Sequence, residues 1–288
     1  IHKLNGVTDN VADSEKDAFL QIKSFLSYLP QNIYELSEKV DCNDPIDRKE
    51  EELLSIIPKD RKRSYEMRDI VKLVFDKDSF FEMTKFFGKG IITGFARING
   101  FPVAIFANDS NFYAGSMSAE GAQKTSRFIR LCDTFRIPIV SLVDEPGFLI
   151  GPDAERAGTI LHGTEAVLAT TESKVPWTTI MIRKSFGVAA AAHYGPDGYV
   201  LAWPSAESGP LPLEGGVAVA FKKEIASAKN PEAKRKELEE KMAKNQSPFP
   251  RAEAFSVHEI IDPRETRKYI ALWAERIQSQ LKASLMNR

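Results

Sequence analysis

The stretch RFIRLCDTFRIPIVSLVDEPGF, residues 127–148, decides the fold class. Its first part sets Phe128, Leu131, Cys132 and Phe135 three and four positions apart, which places them on one stripe of a helix over 118–135, with Ser118 as its N-cap. Its second part, PIVSLVD, is a short β-branched run of the kind that fills a strand covered on both faces. A helix that hands over directly to a buried strand is the signature of an α/β layer structure, and the neighbouring sequence repeats it. Downstream come a helix over about 153–171, the strand WTTIMIR, a helix over about 187–194, the strand YVLAWP and a helix over about 213–228. Upstream, GFARINGFPVAIFA at 94–107 reads as two strands joined at Asn99-Gly100, a pair that favours a two-residue hairpin turn. A mainly parallel sheet, buried on both faces, is therefore expected.

The flanks read differently. Residues 1–62 hold one plausible helix over 14–28 and then CNDPIDRKEEELLSIIPKDRKR, whose charge and proline content suggest a connector. Residues 222–244 are crowded with Lys and Glu three or four apart, as in a solvated helical arm or hairpin. The tail opens at Asp262-Pro263 and continues as an amphipathic helix carrying Ile270, Leu272, Trp273 and Ile277. Thirty-nine basic against 40 acidic residues leave a net charge of −1, which argues against a nucleic-acid surface. Apolar runs such as IPIVSLV stop far short of a membrane span. Two cysteines, Cys42 and Cys132, and four scattered histidines offer neither a disulfide framework nor a metal cluster, and a reducing compartment is the natural setting. The first residue is Ile1, so the chain is expected to be part of a longer one.

Side chains that could carry chemistry are few. Ser185 lies in RKSFGV, which is not a nucleophile elbow, and no Walker loop or complete GxGxxG occurs. Asp144 and Glu145 are adjacent on a strand and should point to opposite faces, ending the strand and shaping the turn. His162 has no evident acidic partner and reads as an ordinary helix residue. Backbone chemistry remains. In RKSFGVAAAAHYG a strand gives way to a helix at Gly187, and the first amides of that helix, on Val188 and Ala189, could hold an oxyanion. The same small residues would equally let the helix pack closely on the sheet. The second candidate is VDEPGFLIGPDAERAGTILHG at 143–163, a constrained loop with Gly147, Phe148, Gly151 and Gly158 at the carboxyl end of a strand, where open α/β sheets place ligands.

These segments also carry a family resemblance. GFARINGFPVAIFAN, RFIRLCDTFRIPIVSLVDEPGF, ERAGTILHG, VPWTTIMIRKSFG, LAWPSAE and SPFPRAEAFSVHEIIDPRETR occur in that order over about 220 residues. Together they resemble the carboxyl-terminal half of the carboxyltransferase β subunit of biotin-dependent acyl-CoA carboxylases, such as propionyl-CoA carboxylase. IHKLNGVTDNVA at the start is similar to the end of that family's amino-terminal half.

The resemblance implies an α/β crotonase-like spiral of strand-strand-helix units, with residues 1–62 closing a preceding domain and 63–288 forming the carboxyl-terminal one. It implies that carboxybiotin on a separate carrier delivers CO2 to the α-carbon of an acyl-CoA, that no metal takes part in this chain, and that this half alone is inactive. Implied partners are the amino-terminal half, a biotin carboxylase, a biotin carrier subunit and further copies of the subunit, as a head-to-tail dimer or hexamer, in the cytoplasm or, in a eukaryote, the mitochondrial matrix. By motif match the oxyanion amides fall on Val188 and Ala189 after Gly187, and the substrate and biotin pocket on Phe186, Ala191, Gly147, Phe148, Gly158, Ile160 and His162. The chain departs from the family at Val188, where a glycine is usual, at Ala191, the position associated with acyl selectivity, and at Glu145, where an apolar residue is common. A decarboxylase component, or a non-catalytic structural relative, would share the same motifs.

Overall fold

The computed structural model describes residues 1–286 of the 288. The chain order is α1 (Glu15–Ser27), α2 (Met67–Val74), β1 (Phe81–Met83), β2 (Ile91–Ile98), β3 (Phe101–Asn108), α3 (Ala119–Phe135), β4 (Ile139–Glu145), α4 (Pro152–Arg156), α5 (Thr159–Thr171), β5 (Trp177–Phe186), β6 (Tyr199–Ala202) and β7 (Glu207–Gly209). Then follow α6 (Leu213–Ala220), α7 (Lys222–Ser227), α8 (Pro231–Gln246), α9 (Pro248–Glu253), β8 (Glu259–Ile260), α10 (Thr266–Arg276) and α11 (Gln278–Met286). The sheet runs β1-β2-β3-β4-β5-β6-β8, with β7 added beside the far end of β5. β1, β2 and β3 pair antiparallel, and every later pair is parallel.

Alternation along the strands builds one core on each face. On β4, Val140 and Leu142 face α2 and α10, meeting Ile70, Val74, Ile270 and Trp273. Ile139 faces the other way, with Phe106 and Trp177, onto Phe128, Ile129 and Cys132 of α3 and Ala166 and Ala169 of α5. The hairpin turn lies where the sequence puts it: Ile98 pairs with Phe101, and Asn99 and Gly100 both take positive φ, 50° and 79°, as a type I′ turn requires. Ser118 caps α3, its hydroxyl accepting from the Gly121 amide.

Four expectations are altered. The helix read over about 153–171 breaks at Gly158, whose φ of +72° separates α4 from α5. The helix read over 187–194 is a 3-10 turn, Ala189–His193. It ends because Tyr194 is extended and Gly195 lies on Trp177, where a Cβ would come within 2.1 Å of the ring. The helix read over 213–228 breaks at Phe221, whose φ of −114° separates α6 from α7. The segment read as a connector is anchored: the Arg267 guanidinium donates to the Asp44 and Pro45 carbonyls, and Arg48 donates to those of Leu73 and Phe75. The charged arm has the expected pairs, among them Lys234 with Glu237 and Arg235 with Glu239. Among the described residues, no helix is long and apolar enough to cross a membrane and no group of His, Cys, Asp or Glu could hold a metal.

Candidate functional site

The carboxyl ends of β4 and β5 lie side by side, and both candidate loops leave from there. β5 carries extra residues at this point: Val143 pairs with Met181, but Glu145 pairs with Ser185. The irregularity turns Arg183 onto Asp144, with Nη2 to Oδ2 2.8 Å and Nε to Oδ1 3.1 Å, both groups buried. The Lys184 amide also donates to Asp144 Oδ1, at 3.1 Å. Asp144 is thus committed to holding the end of β5.

Beyond it, Gly187 takes φ +66°, and its amide donates to the Gly209 carbonyl on β7 at 3.1 Å. Only at this residue does the turn need the left-handed region, because Val188 follows at φ −71°, ψ −31°. Valine is therefore unstrained in the place where a glycine was expected. Its side chain is 70% exposed. The amides of Val188 and Ala189 open a 3-10 turn and have no partner earlier within it. The far end of the turn is held by side chains: Thr170 Oγ1 donates to the Ala192 carbonyl at 2.9 Å, and Thr179 Oγ1 to the His193 carbonyl at 2.7 Å.

The second loop packs against the first through α5. Phe148 is half-buried in the cluster that contains Ala166, Ala189 and Ala192. Its ring lies on Gly163, where a Cβ would be 2.4 Å from Cε1. Gly147, at φ +132°, receives the Met117 amide on its carbonyl, and Leu149 donates back to Met117, so the loop is stitched to the entry of α3. Gly158, at φ +72°, caps α5. Ile160 is exposed on the first turn of α5. His162 does have an acidic partner, Glu165 Oε2 at 3.2 Å from Nδ1, on the same exposed helix face.

The structure thus unites Gly187, Val188 and Ala189 with Phe148, Gly163 and α5. Phe186, read as a pocket residue, is fully buried and lies close to Gly209. Ala191 opens instead into a cleft of about 320 Å³, lined also by Gly187, Ala190, Ser185, Tyr194 and Arg251. There Ser185 Oγ and Tyr194 Oη share a hydrogen bond of 2.7 Å, and Arg251 Nε donates to Ser208 Oγ.

Sequence reasoning missed a buried polar cluster beneath both loops. The Glu145 carboxyl accepts from the Gly147 amide (3.0 Å) and the Met117 amide (3.3 Å) on Oε1, and from Asn108 Nδ2 (3.0 Å) on Oε2. Oε2 faces His193 Nε2 at 3.7 Å. The His193 ring stacks on Phe106, centroids 4.3 Å apart, and its Nδ1 shares a hydrogen bond with Ser141 Oγ at 2.9 Å. Burial drives both groups toward their neutral forms: the carboxyl rises to about 8, although its hydrogen bonds and those from the amides pull it down, and the imidazole falls to about 3. Their positions in sequence, 48 apart, carry no signal, since only the strand register brings them together.

Comparison with known proteins gives a consistent result. The family model described as the carboxyl transferase domain matches residues 1–287. The carboxyltransferase subunit of propionyl-CoA carboxylase from Haloferax mediterranei is 37% identical over 284 residues, covering 97% of this chain and 55% of that protein. The methylmalonyl-CoA decarboxylase subunit alpha of Veillonella parvula is 35% identical, over 92% of this chain and 52% of the relative. A crystal structure of transcarboxylase 12S, a hexamer with methylmalonyl-coenzyme A and methylmalonic acid bound, superposes with a TM-score of 0.91 at 36% identity, over 96% of this chain and 54% of that one. The chain spans about half the length of the curated relatives it matches. The mixed α/β sheet with its helices is the crotonase-like fold of those carboxyltransferases.

Proposed function

Because this chain belongs to the carboxyl transferase domain family, we propose that it supplies one oxyanion site of a biotin-dependent acyl-CoA carboxyltransferase of the propionyl or methylmalonyl type. The observation that carries the reading is the turn at Gly187: one left-handed residue, then two helical-region residues whose amides begin a 3-10 turn at the end of β5. Carboxyl transfer creates a negative oxygen on each reactant, the acyl-CoA enolate and the ureido group of biotin. A pair of fixed N–H donors stabilises such an oxygen without a proton or a metal. Val188 and Ala189 would provide the donors, with Gly187 setting the turn through its own bond to Gly209, while Ala191 and the cleft beside it, with Phe148, Gly147, Gly158, Ile160 and His162 on the neighbouring walls, would shape the pocket. The second donor pair and the CoA platform would come from the other half of the complete subunit. Biotin would arrive on a carrier charged by a biotin carboxylase.

Relatives named as carboxylases and as decarboxylases run this half-reaction in opposite directions, and the turn serves either. The test uses the complete subunit with its biotin partners, following carboxyl transfer between methylmalonyl-CoA and biotin. Ala189→Pro, which deletes one amide, is expected to lower the rate by on the order of 10² to 10³. Val188→Gly should keep near-normal activity, since valine there already has helical φ. A folded Ala189→Pro subunit with an ordinary rate would return the turn to a packing role.

A further inference from the structure

The cluster beneath the turn contains a buried atom without a partner: His193 Nε2 makes no hydrogen bond, although the residue is fully buried. A buried ring nitrogen left unpaired is costly, because it has given up its hydrogen bond to water without replacing it. The polar group that faces it is Glu145 Oε2, and a rotamer adjustment of under about 1 Å brings 3.7 Å to hydrogen-bond length.

Building on the function proposed above, we propose that Glu145 and His193 are a positioning pair for carboxyl transfer, holding one proton between Oε2 and Nε2 and so tying the end of β4 to the last residue of the oxyanion turn. The pair touches no substrate, because both side chains are fully buried. Its reach is through backbone. Glu145 anchors the Gly147 amide at the start of one loop, and His193 closes the 3-10 turn that begins with Ala189. The proton rests on Oε2 and is donated to Nε2, so both groups stay neutral and the pair carries no net charge. With Nε2 as acceptor, Nδ1 keeps its hydrogen and donates it to Ser141 Oγ, so the serine fixes the tautomer. A neutral carboxyl also suits its location: level with Ser185, two residues before Gly187, a carboxylate would oppose the negative oxygen the turn is proposed to hold.

The surrounding charges are otherwise engaged. Asp144, on the same strand, pairs with Arg183 of β5, and Tyr65 lies against that guanidinium. Asp109, after β3, pairs with Arg68. α5 meets the turn through the Thr170 hydroxyl, while its His162 and Glu165 pair with each other. Asn108 Nδ2 and the Met117 and Gly147 amides supply the remaining bonds to Glu145.

The experiment measures kcat and KM for acyl-CoA against pH in the complete subunit with its biotin partners, and the infrared carbonyl stretch of a protonated carboxyl in the same subunit. Wild type should show the carboxyl band at neutral pH and an alkaline fall in kcat as it disappears. Glu145→Gln should remove both the band and the alkaline fall, and lower kcat by roughly tenfold to a hundredfold with little change in KM. Ser141→Ala, which weakens Nε2 as an acceptor by freeing Nδ1, should move the alkaline fall to lower pH. A Glu145→Gln subunit with the wild-type kcat profile, a Ser141→Ala subunit with an unmoved one, or no such band in wild type overturns the pair. A wild-type subunit with the band but without carboxyl transfer overturns the functional reading and supports the shared proton alone.

Discussion

Within the turn that opens at Gly187, conformational demand and sequence novelty fall on different residues. Val188 is the residue read as replacing a usual glycine, but the left-handed backbone is at Gly187, one position earlier, and a side chain there would meet the cost of left-handed φ, about 1–2 kcal/mol, even though a Cβ has room, 3.6 Å from the Pro210 carbonyl. Sequence could mark the glycine as necessary; it could not show that Val188 sits at φ −71°. Glu145 makes a further residue-level statement, this time about stability. Its carboxyl titrates near pH 8 in the folded chain and near its ordinary 4.5 when unfolded, so between those values the unfolded state binds fewer protons and stability falls as pH rises. His193, lowered by burial, acts in the opposite sense, removing stability as pH drops from about 6.5 toward 3. Glu145→Gln is therefore expected to gain on wild type between pH 5 and pH 9, by on the order of 1–3 kcal/mol, in denaturant unfolding at fixed temperature. A constant difference across that range would mean that the carboxyl does not keep its proton on folding.

At the scale of elements, the strands and long helices were legible because burial on both faces forces continuous apolar runs, as in β4, and because α3 carries its own cap at Ser118. The 3-10 turn was not legible. Its length is set by Thr170, Thr179 and Trp177, which belong to other elements and take hold of its carbonyls or block its path. The loop at 146–151 was legible as constrained, but its seat was not, because Gly163 reads as a helix-weakening residue until Phe148 is seen lying on it. Gly163→Ala tests that seat. Alanine favours the helix by up to about 1 kcal/mol, yet its methyl group would displace the ring. Melting temperature should change little while kcat/KM for acyl-CoA in the complete subunit falls severalfold; unchanged kinetics would take Phe148 out of the cleft wall.

Across the whole molecule, the α5 side of the sheet remains apolar at the surface. Ile150 is 83% exposed and Leu161 65%, with Ile160, Leu168 and Val188 also uncovered. These residues surround the proposed site, as expected if another polypeptide closes it. Residues 1–288 alone should therefore self-associate, with a mass by light scattering that rises with concentration, and Leu161→Glu should shift the population toward monomer. A strictly monomeric chain at high concentration would count against a buried face.

The sheet's two ends give this exposed face an added meaning. β1 has three residues and β8 two, so an incoming extended chain finds almost no ladder on which to continue. A chain with uncovered leucines and isoleucines is the kind of species that seeds cross-β fibrils when its margins can template growth. Here the margins are short, which disfavours growth by strand addition and leaves side-chain docking as the way the exposed face can be covered.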